Sequence, residues 1–290
     1  MNRTRILAAL LAGSLLASPA FAAEPAVATT TPEAPAQSGC DKWPARGLQE
    51  GPVGVGYYEA DFATGRRACP RTEIGIGMRG GAIIDTPNFY GAISADALLF
   101  GSVALNPRLE LFGTLEVVHY QWIQNASLRG DQTSMGQATA GATYVIYQEG
   151  AFLLAPSARM MLPTSTASAN VRTMGLELGA AASYRAFSWL EVHGYAGGDM
   201  SMGFSAAPTD ARFGLLLLAG VQWSPLDWLG VVLDMNGHFG ARAGMDYMAP
   251  VLGVRVRIYE GLAAELGMTL PMAGADRHDA LGGLKITYRL

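Results

Sequence analysis

The last seven residues of the sequence, Leu284-Lys-Ile-Thr-Tyr-Arg-Leu290, decide the fold. Leu284, Ile286, Tyr288 and Leu290 fall on one face of an extended strand, and Lys285, Thr287 and Arg289 on the other. A helix would scatter the three polar residues around its circumference. The same period of two runs through Leu252-Gly-Val-Arg-Val-Arg-Ile258, where Leu252, Val254, Val256 and Ile258 oppose Arg255 and Arg257. It runs again from Leu262 to Leu270, where Leu262, Ala264, Leu266, Met268 and Leu270 oppose Glu265 and Thr269.

Read back towards the N-terminus, this texture extends to about residue 72. It divides into twelve segments, at about 73–84, 92–105, 108–121, 134–147, 151–163, 172–186, 189–200, 211–224, 228–240, 247–258, 261–271 and 279–290. Their connections alternate in length. Tight turns are expected at Leu105-Asn-Pro-Arg108, Tyr147-Gln-Glu-Gly150, Ala186-Phe-Ser-Trp189, Ser224-Pro-Leu-Asp227 and Tyr259-Glu-Gly261, and the remaining connections, such as Asn125 to Thr133 and Pro163 to Asn170, are longer and more polar. Short turns on one side and longer loops on the other are the pattern of a transmembrane up-and-down β-barrel. An even strand count places both ends of such a barrel on the short-turn side.

Composition supports a membrane barrel over a soluble sandwich. The chain is 50% hydrophobic and 15% charged, with 36 glycines among 290 residues, against about 25% charged and 7% Gly in ordinary soluble domains. Beyond the first 22 positions no apolar run approaches the roughly 20 residues that a membrane helix needs; the run Phe213-Gly-Leu-Leu-Leu-Leu-Ala-Gly-Val221 stops at Gln222. The chain is also too apolar for intrinsic disorder. In a sandwich the second face of each strand would be rich in Lys and Glu, whereas here it is largely Gly, Ala, Ser and Thr with isolated charges. Aromatic residues cluster in two bands: Tyr147, Tyr184, Trp189, Trp223, Trp228 and Tyr259 near the short turns, and Phe89, Tyr90, Tyr120, Trp122, Phe213 and Tyr247 near the long loops. Such bands match the interfacial girdles of membrane barrels.

The N-terminal part has a different character. Arg3 and Arg5, the apolar run Ile6 to Leu16 and Ala20-Phe-Ala22 form the three parts of an export signal over 1–22. Its removal takes two arginines and lowers the net charge from −4 to −6, and a mildly acidic chain with dispersed charges has no nucleic-acid footprint. Residues 23–37 are Ala/Pro/Thr-rich and read as a linker. An irregular stretch follows, with Cys40 and Cys69 near its ends; an even pair of cysteines in an exported chain is expected to form one disulfide. Residues 23–72 are therefore expected to be a periplasmic linker and cysteine segment, and 73–290 the barrel.

The C-terminal strand resembles the closing strand of bacterial outer-membrane β-barrel proteins, which alternates apolar residues and ends on an apolar or aromatic side chain. This chain ends in Leu290 rather than Phe, with Tyr288 supplying the aromatic. The resemblance covers 73–290 without singling out a subfamily. It implies an outer-membrane location with both termini periplasmic, a surround of outer-membrane lipids, and recognition of the last strand by the barrel-assembly machinery.

A barrel of eight strands is filled by its own side chains and one of sixteen leaves an aqueous channel, so twelve lies between. Projecting the alternation sends Arg79, Asp96, Glu110, Glu116, Arg159, Glu177, Arg185, Glu191, Asp234, Arg255, Arg257, Glu265, Lys285 and Arg289 into the lumen with Glu73. Acids dominate the second, third, sixth and seventh strands and bases the tenth and twelfth. Two readings follow, a transverse field across a narrow water-filled passage or ion pairs that brace the lumen. Glu73 opens the first strand and Arg289 nearly closes the last, so the pair is expected to bridge the seam. The four histidines lack the following serine of outer-membrane phospholipases, and His238 with Asp234, or His278 with Asp276 and Asp279, imitates outer-membrane protease pairs only weakly. No cofactor, metal or catalytic group is expected. Residues 23–72 are too few for the plug of a TonB-dependent transporter. The expectation is a porin-like passage for small hydrophilic solutes. The alternative is a non-enzymatic outer-membrane part of an envelope-spanning machine for gliding motility, secretion or polysaccharide export, which meets periplasmic partners through 23–72.

Overall fold

The computed structural model describes residues 70–85, 90–124, 129–164, 172–204, 211–240, 244–270, 272 and 280–290. The expected export signal, the linker and both Cys40 and Cys69 lie outside the described residues. The chain forms β1 (Glu73–Asp85), β2 (Tyr90–Asn106), β3 (Leu109–Gln124), β4 (Arg129–Ser134), β5 (Ala138–Tyr144), β6 (Tyr147–Glu149) and β7 (Phe152–Leu162). It continues with β8 (Arg172–Phe187), β9 (Leu190–Phe204), β10 (Ala211–Leu226), β11 (Leu229–Gly240), β12 (Gly244–Tyr259), β13 (Leu262–Thr269) and β14 (Ala280–Arg289). Every pairing is antiparallel, and β1 pairs with both β2 and β14, which closes the sheet.

Three of these segments share one place in the wall. β4 and β5 both pair with β3, and β5 and β6 both pair with β7, so fourteen segments make a barrel of twelve strands. The expected count holds, but the fourth strand begins earlier than expected and is broken twice. Residues 129–133, read from sequence as loop, pair with β3, because a hairpin partner already extends to Gln124. At the first break the ladder is kept by two bonds: Glu116 donates its N–H to the Gln137 carbonyl, and Gly136 donates to the Glu116 carbonyl. At the second, Val145 donates to Arg108 and Ile146 to Leu154. Two of the tight turns carry glycines in the left-handed region, Gly150 at φ 53° and Gly261 at φ 79°, where a side chain would be strained.

The expected alternation separates the two faces. Ile74, Ile76 and Met78 of β1, Leu266 and Met268 of β13, and Leu284, Ile286 and Tyr288 of β14 face outward, while Glu73, Arg79, Glu265, Lys285 and Thr287 are buried inward. Around the short-turn rim Tyr147, Tyr184, Phe187, Trp189, Trp223, Trp228 and Tyr259 all lie outward and exposed, and Phe187 stacks on Trp189 with ring centroids 5.1 Å apart. β2, β3, β8, β10 and β12 run to 16 or 17 residues, beyond the 9–11 that a tilted strand needs to cross the hydrocarbon core.

The inner face is less polar than expected. In the run Leu215-Leu-Leu-Leu218, Leu215 and Leu217 face outward but Leu216 and Leu218 are buried inward. They join Val145, Leu153, Ala155, Ala181 and Tyr195 in one apolar cluster on the inner wall. A run that is apolar on both faces carries no alternation, so sequence alone could not assign its inner half.

Candidate functional site in the barrel lumen

Most of the charges projected inward do face the lumen. Asp96, Glu110, Glu116, Arg159, Glu177, Glu191, Asp234, Arg255, Glu265 and Lys285 are buried on the inner wall. Arg185 is half-buried, and Arg257 and Arg289 are exposed at the short-turn rim. Arg185 stands opposite Glu191 across β8–β9, and Arg257 opposite Ala263. Glu73 and Arg289 are cross-strand partners at the β1–β14 seam, and directly opposed residues of an antiparallel pair share a face.

The charges gather into clusters between neighbouring strands. In the first, Arg79 of β1 reaches both Asp96 Oδ2 of β2 and Glu116 Oε1 of β3, each at 2.5 Å. Glu116 is locked from behind, because its second oxygen accepts the Gln137 N–H at 2.9 Å and its side chain lies where Gly136 would place a Cβ. The break between β4 and β5 therefore wraps around this carboxylate. Asp96 also meets His119 Nδ1 at 2.6 Å.

His119 escaped the sequence projection for a clear reason. Strict alternation from Glu110 and Glu116 would turn it outward. The β2–β3 register shifts between Ala97 and Leu98, which pair with Val118 and Glu116. The extra residue puts both Val117 and Val118 on the outer face and reverses the phase beyond it. No signal for the bulge exists in two adjacent valines.

The second cluster joins β7, β8 and β9. Arg159 Nη2 lies 2.6 Å from Glu177 Oε2, and Tyr195 donates its hydroxyl to Glu177 Oε1 at 2.7 Å. Gly179 and Gly197 leave the space that the Tyr195 ring occupies. The third joins β12, β13 and β14, whose register sets Arg255, Glu265 and Lys285 in one row. Arg255 Nε lies 3.0 Å and Lys285 Nζ 4.0 Å from the Glu265 carboxylate. Lys285 reaches on across β1 to the Phe100 ring, 4.3 Å from its centroid, which is within cation–π range.

The fourth set spans β9, β10 and β11. His193 Nε2 meets Asp234 Oδ1 at 2.8 Å, and His238 Nε2 meets Asp199 Oδ1 at 2.9 Å. His238 thus pairs with Asp199 and not with its sequence neighbour Asp234. Asp199 and His193 had the same inward parity as Glu191 but no feature that singled them out in the sequence. His278 with Asp276 and Asp279 lies outside the described residues.

Each base named in the third cluster sits beside an acid on an adjacent strand, so the charges are arranged as local ion pairs around the circumference. Two carboxylates share Arg79, and two bases share Glu265.

A closed antiparallel barrel of twelve strands, with an outward apolar belt, an aromatic rim and an inward lining of ion pairs, has the fold of the outer-membrane β-barrels. Solved structures agree. An outer membrane channel from Pseudomonas putida F1 is similar with a TM-score of 0.60 at 12% identity, over 80% of this chain and 100% of that one. The translocator domain of autotransporter NalP from Neisseria meningitidis is similar with a TM-score of 0.52 at 13% identity, over 76% of this chain and 88% of that one. The NanC porin gives a TM-score of 0.51 at 7% identity, over 76% of this chain and 100% of that one. At such identities the likeness is one of fold. No protein-family model and no curated protein matches the sequence.

Proposed function

We propose that this chain is a porin-like passage through which small hydrophilic solutes diffuse across the outer membrane, with no chemical step. One observation carries the reading. Asn236 Oδ1 and Nδ2, Asp234 Oδ2 and Thr269 Oγ1 are buried on the inner wall with no hydrogen-bond partner among the described residues. Asp234 pairs with Val251, and Val251 with Thr269, so these groups lie close together on three adjacent strands. A buried polar group left unpaired costs about 1–3 kcal/mol, which a dry, filled core would not tolerate several times over. Water in an open passage would supply partners for all of them.

Orientation follows from the seam. Glu73 and Arg289, at the two ends of the barrel, are partners at one rim, and the short turns of this class face the periplasm. This supports the reading in which both ends of the barrel face the periplasm.

Planar-bilayer recording of the purified full-length protein tests the proposal. Stepwise single-channel currents are expected in simple salt. A bilayer that stays silent while folded protein is inserted overturns it, and leaves the structural role in an envelope assembly as the better reading.

A further inference from the structure

We infer that two histidine–aspartate pairs, His193 with Asp234 and His238 with Asp199, are the proton-sensitive selectivity site of the passage. At neutral pH they are anionic and draw cations, and on acidification they discharge. The effect on ion flow rests on the porin reading; the titration itself does not.

The first ground is what these two aspartates lack. Asp96 and Glu116 share Arg79, Glu177 has Arg159, and Glu265 lies beside Arg255 and Lys285. Among the described residues, Asp234 and Asp199 have no Arg or Lys within ion-pair distance; each has a histidine instead, at 2.8 and 2.9 Å. A carboxylate beside an arginine is neutralised at every working pH. One beside a histidine is neutralised while the imidazole holds a second proton, and imidazole ordinarily changes charge between about pH 5 and 8. Each pair therefore carries one negative charge or none.

The second ground is the geometry of the bonds. Both histidines meet their aspartate through Nε2. A carboxylate accepts and does not donate, so Nε2 keeps its hydrogen in both states and the proton is gained and lost at Nδ1. The contact holds while its charge changes. The imidazoles keep 11% and 18% of their side-chain surface exposed, against 1% and 2% for the carboxylates, so the proton arrives at the histidine from the lumen.

The third ground is the surroundings. His193 is flanked on its own strand by Glu191 and Tyr195; its register partners are Ser183 on β8 and Gly220 on β10, and Arg185 is the next inward residue of β8. Glu191 stands opposite Arg185, and Tyr195 is bonded to Glu177. The register partners of His238 are Leu216 on β10 and Tyr247 on β12, and its Asp199 stands opposite Glu177, which Arg159 holds. Arg185 and Arg159 thus answer Glu191 and Glu177, which leaves Asp234 and Asp199 to their histidines. The two pairs close over Gly220 and Gly214, roughly 20 Å apart along β10. That is about twice the screening length at moderate salt, so each pair acts on passing ions as a separate step.

Bilayer recording of the full-length protein in a potassium chloride gradient reads the charge. The cation preference, taken from the reversal potential, is expected to fall by about twofold or more between about pH 8 and pH 5. The double variant His193→Gln, His238→Gln keeps an N–H donor towards each aspartate but cannot titrate, and is expected to lose about half or more of that response. A parent whose preference does not change, or a variant that keeps more than about half of the parent's response, overturns the inference. Nitrogen NMR of the histidine-labelled parent, folded in detergent micelles, needs no conduction. Two imidazoles, assigned by the single variants, are expected to keep Nε2 protonated while Nδ1 takes up a proton over about the same range. Imidazoles that stay in one state throughout, or that carry their neutral-state proton on Nδ1, overturn the inference. If parent and variant are both silent in bilayers, the porin reading falls and the titration alone decides.

Discussion

His193 and Asp234 stand on strands that do not pair, yet their side chains meet at 2.8 Å. β10 runs between them, and its Gly220 is the cross-strand partner of both residues. The imidazole and carboxylate close over a position that has no side chain. Gly214 has the same role further along β10, where Asp199 of β9 and His238 of β11 meet in the reverse order. Two glycines thus let β9 and β11 clasp each other across β10, with Leu216 and Leu218 between the clasps.

A methyl at 220 would collide with Asp234 Oδ1 and lie 2.8 Å from the Leu233 carbonyl, which as backbone cannot withdraw. Gly220→Ala is therefore expected to break the clasp and cost about 1–3 kcal/mol, the usual range for overpacking. Gly237→Ala, whose Cβ meets nothing closer than the Phe239 ring at 3.0 Å, is expected to cost less. Urea unfolding of the barrel in lipid vesicles measures both.

Arg79 is the shared counter-ion of Asp96 and Glu116. Arg79→Met leaves the buried carboxylates of Asp96 and Glu116 without this counter-ion, with His119 beside Asp96. A loss of about 3–5 kcal/mol is expected, the range for removing one partner of a buried pair. In bilayers the same variant is expected to favour cations more strongly than the parent, seen as a shift of reversal potential in a salt gradient.

Glu265 holds Arg255 and Lys285 in the opposite imbalance. Glu265→Gln keeps the shape and removes the negative charge that lies beside both cations. The reversal potential is expected to move towards anion preference, opposite in sign to that of Arg79→Met. Shifts of the same sign would show that neither cluster lines the ion path.

Leu266 faces outward from β13 with 62% of its surface exposed, which in the membrane is contact with lipid. Leu266→Arg is expected to destabilise the barrel by up to about 2–4 kcal/mol in vesicles, the cost of a cation on the lipid face near the midplane. Thr269→Val, on the inner wall, is expected to cost less, about 0.5–1.5 kcal/mol, because it gives up a hydroxyl that water in the lumen satisfies.

At the seam, Glu73 and Arg289 share a face at the rim. Because Arg289 is exposed, a double-mutant cycle of Glu73→Gln and Arg289→Gln is expected to give a coupling of about 0.2–1 kcal/mol. A value of zero within error would dismiss the bridge.

Much of this fold is legible because the lipid-facing residues repeat every second position. Leu284, Ile286 and Tyr288 had to lie together on the outside, and that sent Lys285, Thr287 and the charges of the other strands inward. Strand number and the closure of β1 on β14 followed from turn lengths and parity. Period, composition and turn chemistry are local properties, and one sequence carries them fully.

What lies across the lumen is not local. The phase reversal at Val117–Val118, the clasp of His238 on Asp199 and the wrap of residues 135–137 around Glu116 each depend on the stagger between strands. So does the inward half of the Leu215–Leu218 run, whose two faces look alike in sequence. Parity determined which side chains point inward. Only the closed barrel, by fixing register around its circumference, decided which of them touch.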